Sequence, residues 1–221
     1  MKDTHAVAAK YIQEKNLQAA LDIYEKALKE NDKDPLIFAN IANVVYMMQD
    51  LERAILLFEK AIACDENCAV AYYGLGNIFY EKEDFPEAIA CFEKAIRHGL
   101  NEDGDVHFLL GSSFMRMNQA RLASMYLLRA TELKNDDAEI WFMYGLCMGK
   151  CAAIDESIRA LEEAVKLDQG HADALYNLGV AYFMKGNVAL AEKNLLKTLT
   201  LQSEHLLARH AMRVLKGEIE A

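Results

Sequence analysis

The sequence contains no apolar run long enough to cross a membrane, and no basic segment leading into an apolar one at its start. Both absences argue against a membrane protein and against a secreted one. Basic residues are in deficit: 24 Lys and Arg stand against 34 Asp and Glu, a formal charge of −10. A field of that sign repels phosphate backbones, so nucleic acid is not an expected partner. Cysteine is scarce and odd in number, five in all, and lies within helical patterning. A short disulfide framework looks different, so a cytoplasmic setting is expected. Cys147 and Cys151 share a helix face, and Cys64 and Cys68 have the same spacing across a repeat boundary. Neither pair has two further ligands nearby, so buried free thiols are expected and a metal is not. Gly74-Leu-Gly76 sits inside a helical pattern without a preceding strand or a third glycine, and there is no phosphate-loop lysine or serine elbow. The histidines His5, His98, His107, His171, His205 and His210 are scattered without a supported acid–base pair. An enzyme is not expected, and no cofactor is.

What is abundant is a period. Ala20, Ala54, Ala88, Ala123, Ser157 and Ala191 return every 34 residues, with one extra residue near Asp103 displacing the fourth copy. An aromatic residue or leucine follows four residues on (Tyr24, Phe58, Phe92, Leu127, Leu161, Leu195). A small residue follows three beyond that (Ala27, Ala61, Ala95, Ala130, Ala164, Thr198). A fixed period of this length marks stacked supersecondary units. When each copy is numbered from 1, positions 4, 7, 8 and 11 are apolar or small, as in Tyr72, Leu75, Gly76 and Phe79. So are positions 17, 20, 21, 24, 27 and 28, as in Leu51, Ala54, Ile55, Phe58, Ala61 and Ile62. Each set is one face of a helix, so every copy predicts two helices. Position 8 is Ala8, Ala42, Gly76, Gly111, Gly145 and Gly179. A mid-helix glycine costs about 1 kcal/mol against alanine, so its recurrence implies a helix too close for a side chain.

Pro35 and Pro86 suit first helical turns, and Asn118 and Gly186 suit left-handed turn positions. The copies run 1–34, 35–68, 69–103, 104–137, 138–171 and 172–205. A last helix, 206–216, is expected to cover the final copy with Leu207, Ala211 and Leu215 while Arg209, Arg213 and Lys216 face water. His171 and His205 fall at position 34 and read as structural.

Trp141 at position 4, Leu-Gly at 7 and 8 (Leu75-Gly76, Leu110-Gly111, Leu178-Gly179), Ala at 20, Phe or Tyr at 24 and Ala at 27 resemble the tetratricopeptide repeat (TPR) family across residues 1–205. The stretches Gly104-Asp105 to Leu110-Gly111 and Gly170 to Ala174 are similar to a small stand-alone bacterial member. The resemblance implies an all-α fold: a right-handed α-solenoid of six TPR helix pairs plus a C-terminal capping helix, with first helices lining a concave groove. The family's usual proline at position 32 is absent from every copy (Asp32, Glu66, Leu100, Asn135, Gln169, Ser203), so less sharply stopped helix junctions are expected.

The face left over on each first helix, positions 2, 5, 6, 9, 12 and 13, then points into that groove. A solvated face should be polar, yet Tyr73, Phe108, Phe142 and Tyr176 stand at position 5 and Tyr46, Tyr80, Met115 and Phe183 at position 12. Met143 at 6 and Met47 and Met184 at 13 add to them. Such a violation marks a binding surface; packing between neighbouring repeats is the alternative. Positions 6 and 9 supply Asn40, Asn43, Asn77 and Asn177, whose amides can bond both the C=O and the N–H of an extended peptide. The resemblance implies that use; plain solvation is the alternative. Asp105, Glu139 and Asp173 at position 2 favour a ligand with Lys or Arg beside apolar residues, against Arg116 and Lys150 at position 13. Acids at helix starts also complement the helix dipole. The family's clamp for terminal carboxylates needs lysines where His5, Val70 and Gly74 stand, so that mode is not expected.

The expected function is a protein-interaction module that holds a peptide segment or protein tail, apolar with basic residues admitted, as an adaptor or scaffold. Nucleic acid and membrane are not expected partners, and a monomer is favoured. A sensor of free signalling peptides is a rival; such regulators carry an effector domain ahead of the repeats, whereas the first repeat here begins at residue 1. A self-stacking structural protein is a second rival, opposed by the polar last helix.

Overall fold

The structure, a computed structural model, describes residues 2–219. Those residues are all-α, with thirteen α-helices and no strand. Two compact units divide the chain, Met1–Ser113 and Phe114–Ala221. The first holds α1 (Lys2–Gln13), α2 (Leu17–Glu30), α3 (Pro35–Met47), α4 (Leu51–Cys64), α5 (Ala69–Glu81) and α6 (Phe85–Ala95). The boundary falls within α7 (Gly104–Arg116). The second unit holds α8 (Ala120–Leu133), α9 (Ala138–Lys150), α10 (Ile154–Leu167), α11 (Ala172–Met184), α12 (Val188–Leu201) and α13 (Leu206–Leu215). Within each unit a first helix packs on its own partner, on the preceding second helix and on the next first helix, as α3 does on α4, α2 and α5, and α11 on α12, α10 and α13.

The small-residue rows explain that closeness. A Cβ on Gly76 would stand 2.5 Å from the Phe92 ring, one on Gly145 2.7 Å from Leu161 and one on Gly179 2.9 Å from Leu195. Position 8 is thus clamped onto position 24 of its own helix pair. Gly74 extends the contact to the preceding pair, where a Cβ would lie 2.1 Å from Phe58. Positions 3 and 10 are equally buried, through Ile37, Ala71, Ile140 and Ala174 at one and Val44, Ile78, Cys147 and Ala181 at the other. The 4-7-8-11 pattern missed them. A helix flanked on three sides buries a wider arc than one amphipathic stripe describes.

The turn inside each pair is invariant in shape. Lys15, Gln49, Glu83, Asn118, Ala152 and Gly186 all have positive φ, from 58° to 81°. The next residue returns its N–H to the helix, Asn16 to the Tyr11 carbonyl at 2.8 Å and Ala153 to Met148 at 3.0 Å. This is a Schellman-type closure. Only asparagine and glycine favour that backbone, so four copies carry strain there. The residue after the turn caps the second helix in three copies: Asn16, Asp50 and Asn187 each accept a backbone N–H at 3.2 Å, whereas Asp84 makes no such bond and Ala153 has no side-chain acceptor.

At three junctions between pairs, where the family's proline is missing, a side-chain nitrogen engages the backbone. Trp141 Nε1 donates to the Asn135 carbonyl at 2.9 Å, the His107 Nε2 atom lies 2.9 Å from the Asn101 carbonyl, and Arg209 Nε donates to the Ser203 carbonyl at 2.8 Å. A nitrogen at position 4 therefore engages the junction backbone that the helix has abandoned. The extra residue of the third copy is absorbed upstream of Asp103, in the segment Ile96–Leu100 that follows α6, where Gly99 leaves helical geometry at φ 126°. At the C-terminus α13 packs through Ala208 and Met212, supported by Ala211 and Leu215. Leu207, expected in that contact, is 59% exposed, because the packed face is rotated one residue onward.

Candidate functional site

In the first unit the expected contact residues mostly satisfy one another. Asn40 Nδ2 lies 3.3 Å from His5 Nδ1, so this amide engages the preceding first helix. The Tyr46 hydroxyl donates to the Glu81 carboxylate; burial first, and that carboxylate second, hold the phenol well above its ordinary range. Tyr73 tilts against Phe92 at 6.1 Å between ring centroids, and Tyr80 stands edge-on to Phe85 at 5.7 Å. Phe108 on α7 and Asn43 on α3 are half-buried. Asn77 is different: its Oδ1 is buried with no hydrogen-bond partner among the described residues. A buried acceptor in that state costs about 1–3 kcal/mol and calls for a donor.

The second unit opens where the first is filled. A cavity of about 450 Å³ lies between the last turn of α7, α9, the start of α10, and α11. Met115, Met143 and Met184 line it together with Leu146, Ile154 and Val180; Gly145, Gly149 and Ala181 provide the space. Arg116, Lys150, Asn177 and Ser157 are its polar members. Ser157 donates to the Gly145 carbonyl at 2.8 Å, which accounts for a hydroxyl in a row of alanines. Asn177 Nδ2 donates to the carbonyl of Asp173 at 2.8 Å, so its Oδ1 and its second amide N–H are what it offers a ligand. Other residues anticipated from sequence for the first-helix faces are engaged or lie elsewhere: Phe142 is 9% exposed, packed 4.6 Å from the His171 ring in the unit's core. Phe183 lines a separate apolar cleft with Leu195, His210 and Val214. Tyr176 leans on His205 at 5.0 Å, its phenol raised by burial. Asp173 faces His205, and Tyr46 faces Glu81.

Position 34 explains the acidic row. His171 Nδ1 accepts the Ala174 N–H at 3.2 Å and caps α11, while its Nε2 lies 3.4 Å from the Glu139 carboxylate. His205 repeats the arrangement, with the Ala208 N–H at 3.1 Å and Asp173 at 3.5 Å. A ring nitrogen that accepts an N–H carries no proton, so the proton sits on Nε2, facing the acid. Asp105 is exposed in the first turn of α7.

Burial raises three of the thiols, Cys68, Cys91 and Cys147. Burial pushes Cys147 up to about 12, with Cys151 adding to the effect, and burial pushes Cys91 up to about 11. Such thiols are poor nucleophiles. Among the described residues no cluster of His, Cys, Asp and Glu could hold a metal, and no helix is long and apolar enough to cross a membrane. Sequence reasoning missed Gly149, Leu146, Ile154 and Val180. The signal for the first was legible: Gly149 is the one residue in the position 12 row that is neither aromatic nor a long apolar side chain.

Known proteins place this geometry. Family models described as tetratricopeptide repeat match residues 11–78, 69–98 and 173–201, and one described as TPR repeat matches 153–186. The crystal structure of YrrB, described as a TPR protein with an unusual peptide-binding site, is 39% identical, with a TM-score of 0.82 over 86% of this chain and 97% of YrrB. The chain belongs to the tetratricopeptide-repeat family. As a TPR protein it is, in general terms, a protein–protein interaction or scaffold module. PilF of Pseudomonas aeruginosa shares the fold at 17% identity, with a TM-score of 0.81 over 96% of each chain. The peroxisomal targeting signal receptor of Yarrowia lipolytica is 37% identical over 71 residues, 32% of this chain but only 11% of that receptor's length.

Proposed function

We propose that this TPR protein is a non-enzymatic adaptor whose second unit seats an extended apolar segment, or the tail of another protein, in the cavity beside α9 and α11. The observation that carries the reading is the cavity of about 450 Å³ with three methionines in its lining. That size and apolar character with a few polar groups is the ordinary form of a ligand site. Methionine adapts its shape to irregular apolar side chains. Asn177 offers an acceptor to a peptide backbone. YrrB's description as a peptide-binding TPR protein supports the same role here. The repeats 1–34 to 172–205 and the cap 206–216 are the working boundaries of the module. A cytoplasmic monomer is the working state.

The test is selection of a displayed random-peptide library on the full chain. Two controls accompany it: Gly149→Tyr, which fills the cavity, and the quadruple change of Asn40, Asn43, Asn77 and Asn177 to Ala. Enriched peptides lost with Gly149→Tyr are the expected result. Enriched peptides that survive both controls would move the site off the first-helix face. No enrichment would favour a folded partner or self-association, which sedimentation resolves.

A further inference from the structure

We propose that α8 carries a self-association surface, through which two copies of this chain pair as a closed, antiparallel two-fold dimer. The surface is separate from the cavity, and none of its residues lines that cavity. Three apolar side chains stand in the open along α8: Leu122 at 45%, Met125 at 60% and Leu128 at 42% exposure. The repeat pattern does not require them. Met125 and Leu128 hold positions 22 and 25. Every other second helix has at least one charged residue at these two positions, as Asp22 and Glu25 in α2 or Arg159 and Glu162 in α10. A contiguous apolar stripe in that place marks an interaction surface.

The charges on the same face identify the partner. Arg121 lies four residues before Met125, and Glu132 four residues after Leu128, so the four follow the 4-3-4 spacing of a coiled-coil seam. Arg121 stands in the first turn of α8 and Glu132 in the last, the reverse of what the helix dipole favours. Within one chain Glu132 pairs with Arg129 at 2.8 Å, an exposed contact worth little. An antiparallel second α8 gives both charges a use. With the two-fold axis between residues 126 and 127, Met125 faces the partner's Leu128 and Arg121 faces the partner's Glu132, each contact occurring twice. Such self-complementarity is what a two-fold interface requires. A parallel pair would instead set arginine on arginine and glutamate on glutamate. One fourteen-residue helix from each copy is small beside the roughly 1,200–2,000 Å² of stable interfaces. The dimer is therefore weak, and the monomer taken above as the working state is its dilute form.

Sedimentation velocity of the full chain, from about 1 μM to about 500 μM, tests this in the range expected of a weak interface. The expected result is a concentration-dependent shift from monomer to dimer without larger species. Met125→Lys should weaken association about tenfold or more. Arg121→Glu and Glu132→Arg should each weaken it about fivefold or more, because each sets like charges opposite one another twice. Both changes suit the helix dipole, so neither threatens the fold. Mixing these two single variants restores opposite charges in both end contacts and should recover the wild-type affinity, a gain that misfolding cannot produce. A chain that stays monomeric throughout, growth into larger species, or a dimer indifferent to Met125→Lys would overturn the proposal. A mixture no stronger than either variant alone would overturn the antiparallel register.

Discussion

The two units use one repeat pattern and reach different surfaces. At position 12 the first unit presents Tyr46 and Tyr80, the one bonded to Glu81 and the other set edge-on to Phe85. At the same position the second unit presents Met115, Gly149 and Phe183, and the first two line a cavity while Phe183 lines a separate cleft. A Cβ on Gly149 would meet only Ser157 Oγ, at 3.5 Å, so this glycine is not required by close helix packing as Gly145 and Gly179 are. The lesson is that glycine plays two parts in this fold. At position 8 it lets helices touch; at position 12 it leaves space that no described residue fills.

The largest expected effect breaks what the units share. Phe58→Ala in the first unit should cost about 3–5 kcal/mol and Leu161→Ala in the second about 2–5 kcal/mol. Both side chains are buried against glycine. Hydrogen exchange should show each loss concentrated in the unit that carries it, because repeat stability is a sum of neighbour terms. Next, Gly149→Tyr should give the second unit the filled character of the first: peptide affinity falls by about tenfold or more while the thermal midpoint is retained, readable by anisotropy and calorimetry. If binding survives, the cavity does not distinguish the units.

Smaller effects sharpen the comparison. Trp141→Phe keeps the ring but loses the bond to the Asn135 carbonyl, and should cost about 1 kcal/mol in a urea melt. Ala153→Asn supplies the cap that Asn16 and Asn187 already provide and should add about 1 kcal/mol. Ala152→Gly should add roughly half that, relief of the left-handed backbone at φ 59° being partly offset by the greater freedom of glycine in the unfolded chain.

Much of the fold could be read from the residues. The rows Ala54, Phe58 and Ala61, or Ser157, Leu161 and Ala164, repeat because each pair meets the same partner in the same geometry. The candidate site was legible in part. Met115, Arg116, Lys150 and Asn177 are gathered at one cavity, joined by Met143 and Met184. Phe142 and Phe183 belong to the same rows yet lie elsewhere, one in the core against His171 and one in the cleft beside α13. A row position fixes the direction of a side chain from its helix, but what it meets depends on the neighbouring copy.

The sequence by itself determined the helix pairs, their period, the glycine contacts and the family, because these follow from regular spacing along one chain. Only the tertiary structure decided that positions 3 and 10 are buried, that histidines answer the acids Glu139 and Asp173, and that the second unit holds the opening. Those outcomes depend on volumes and charges brought together from different helices, and no single period encodes the sum.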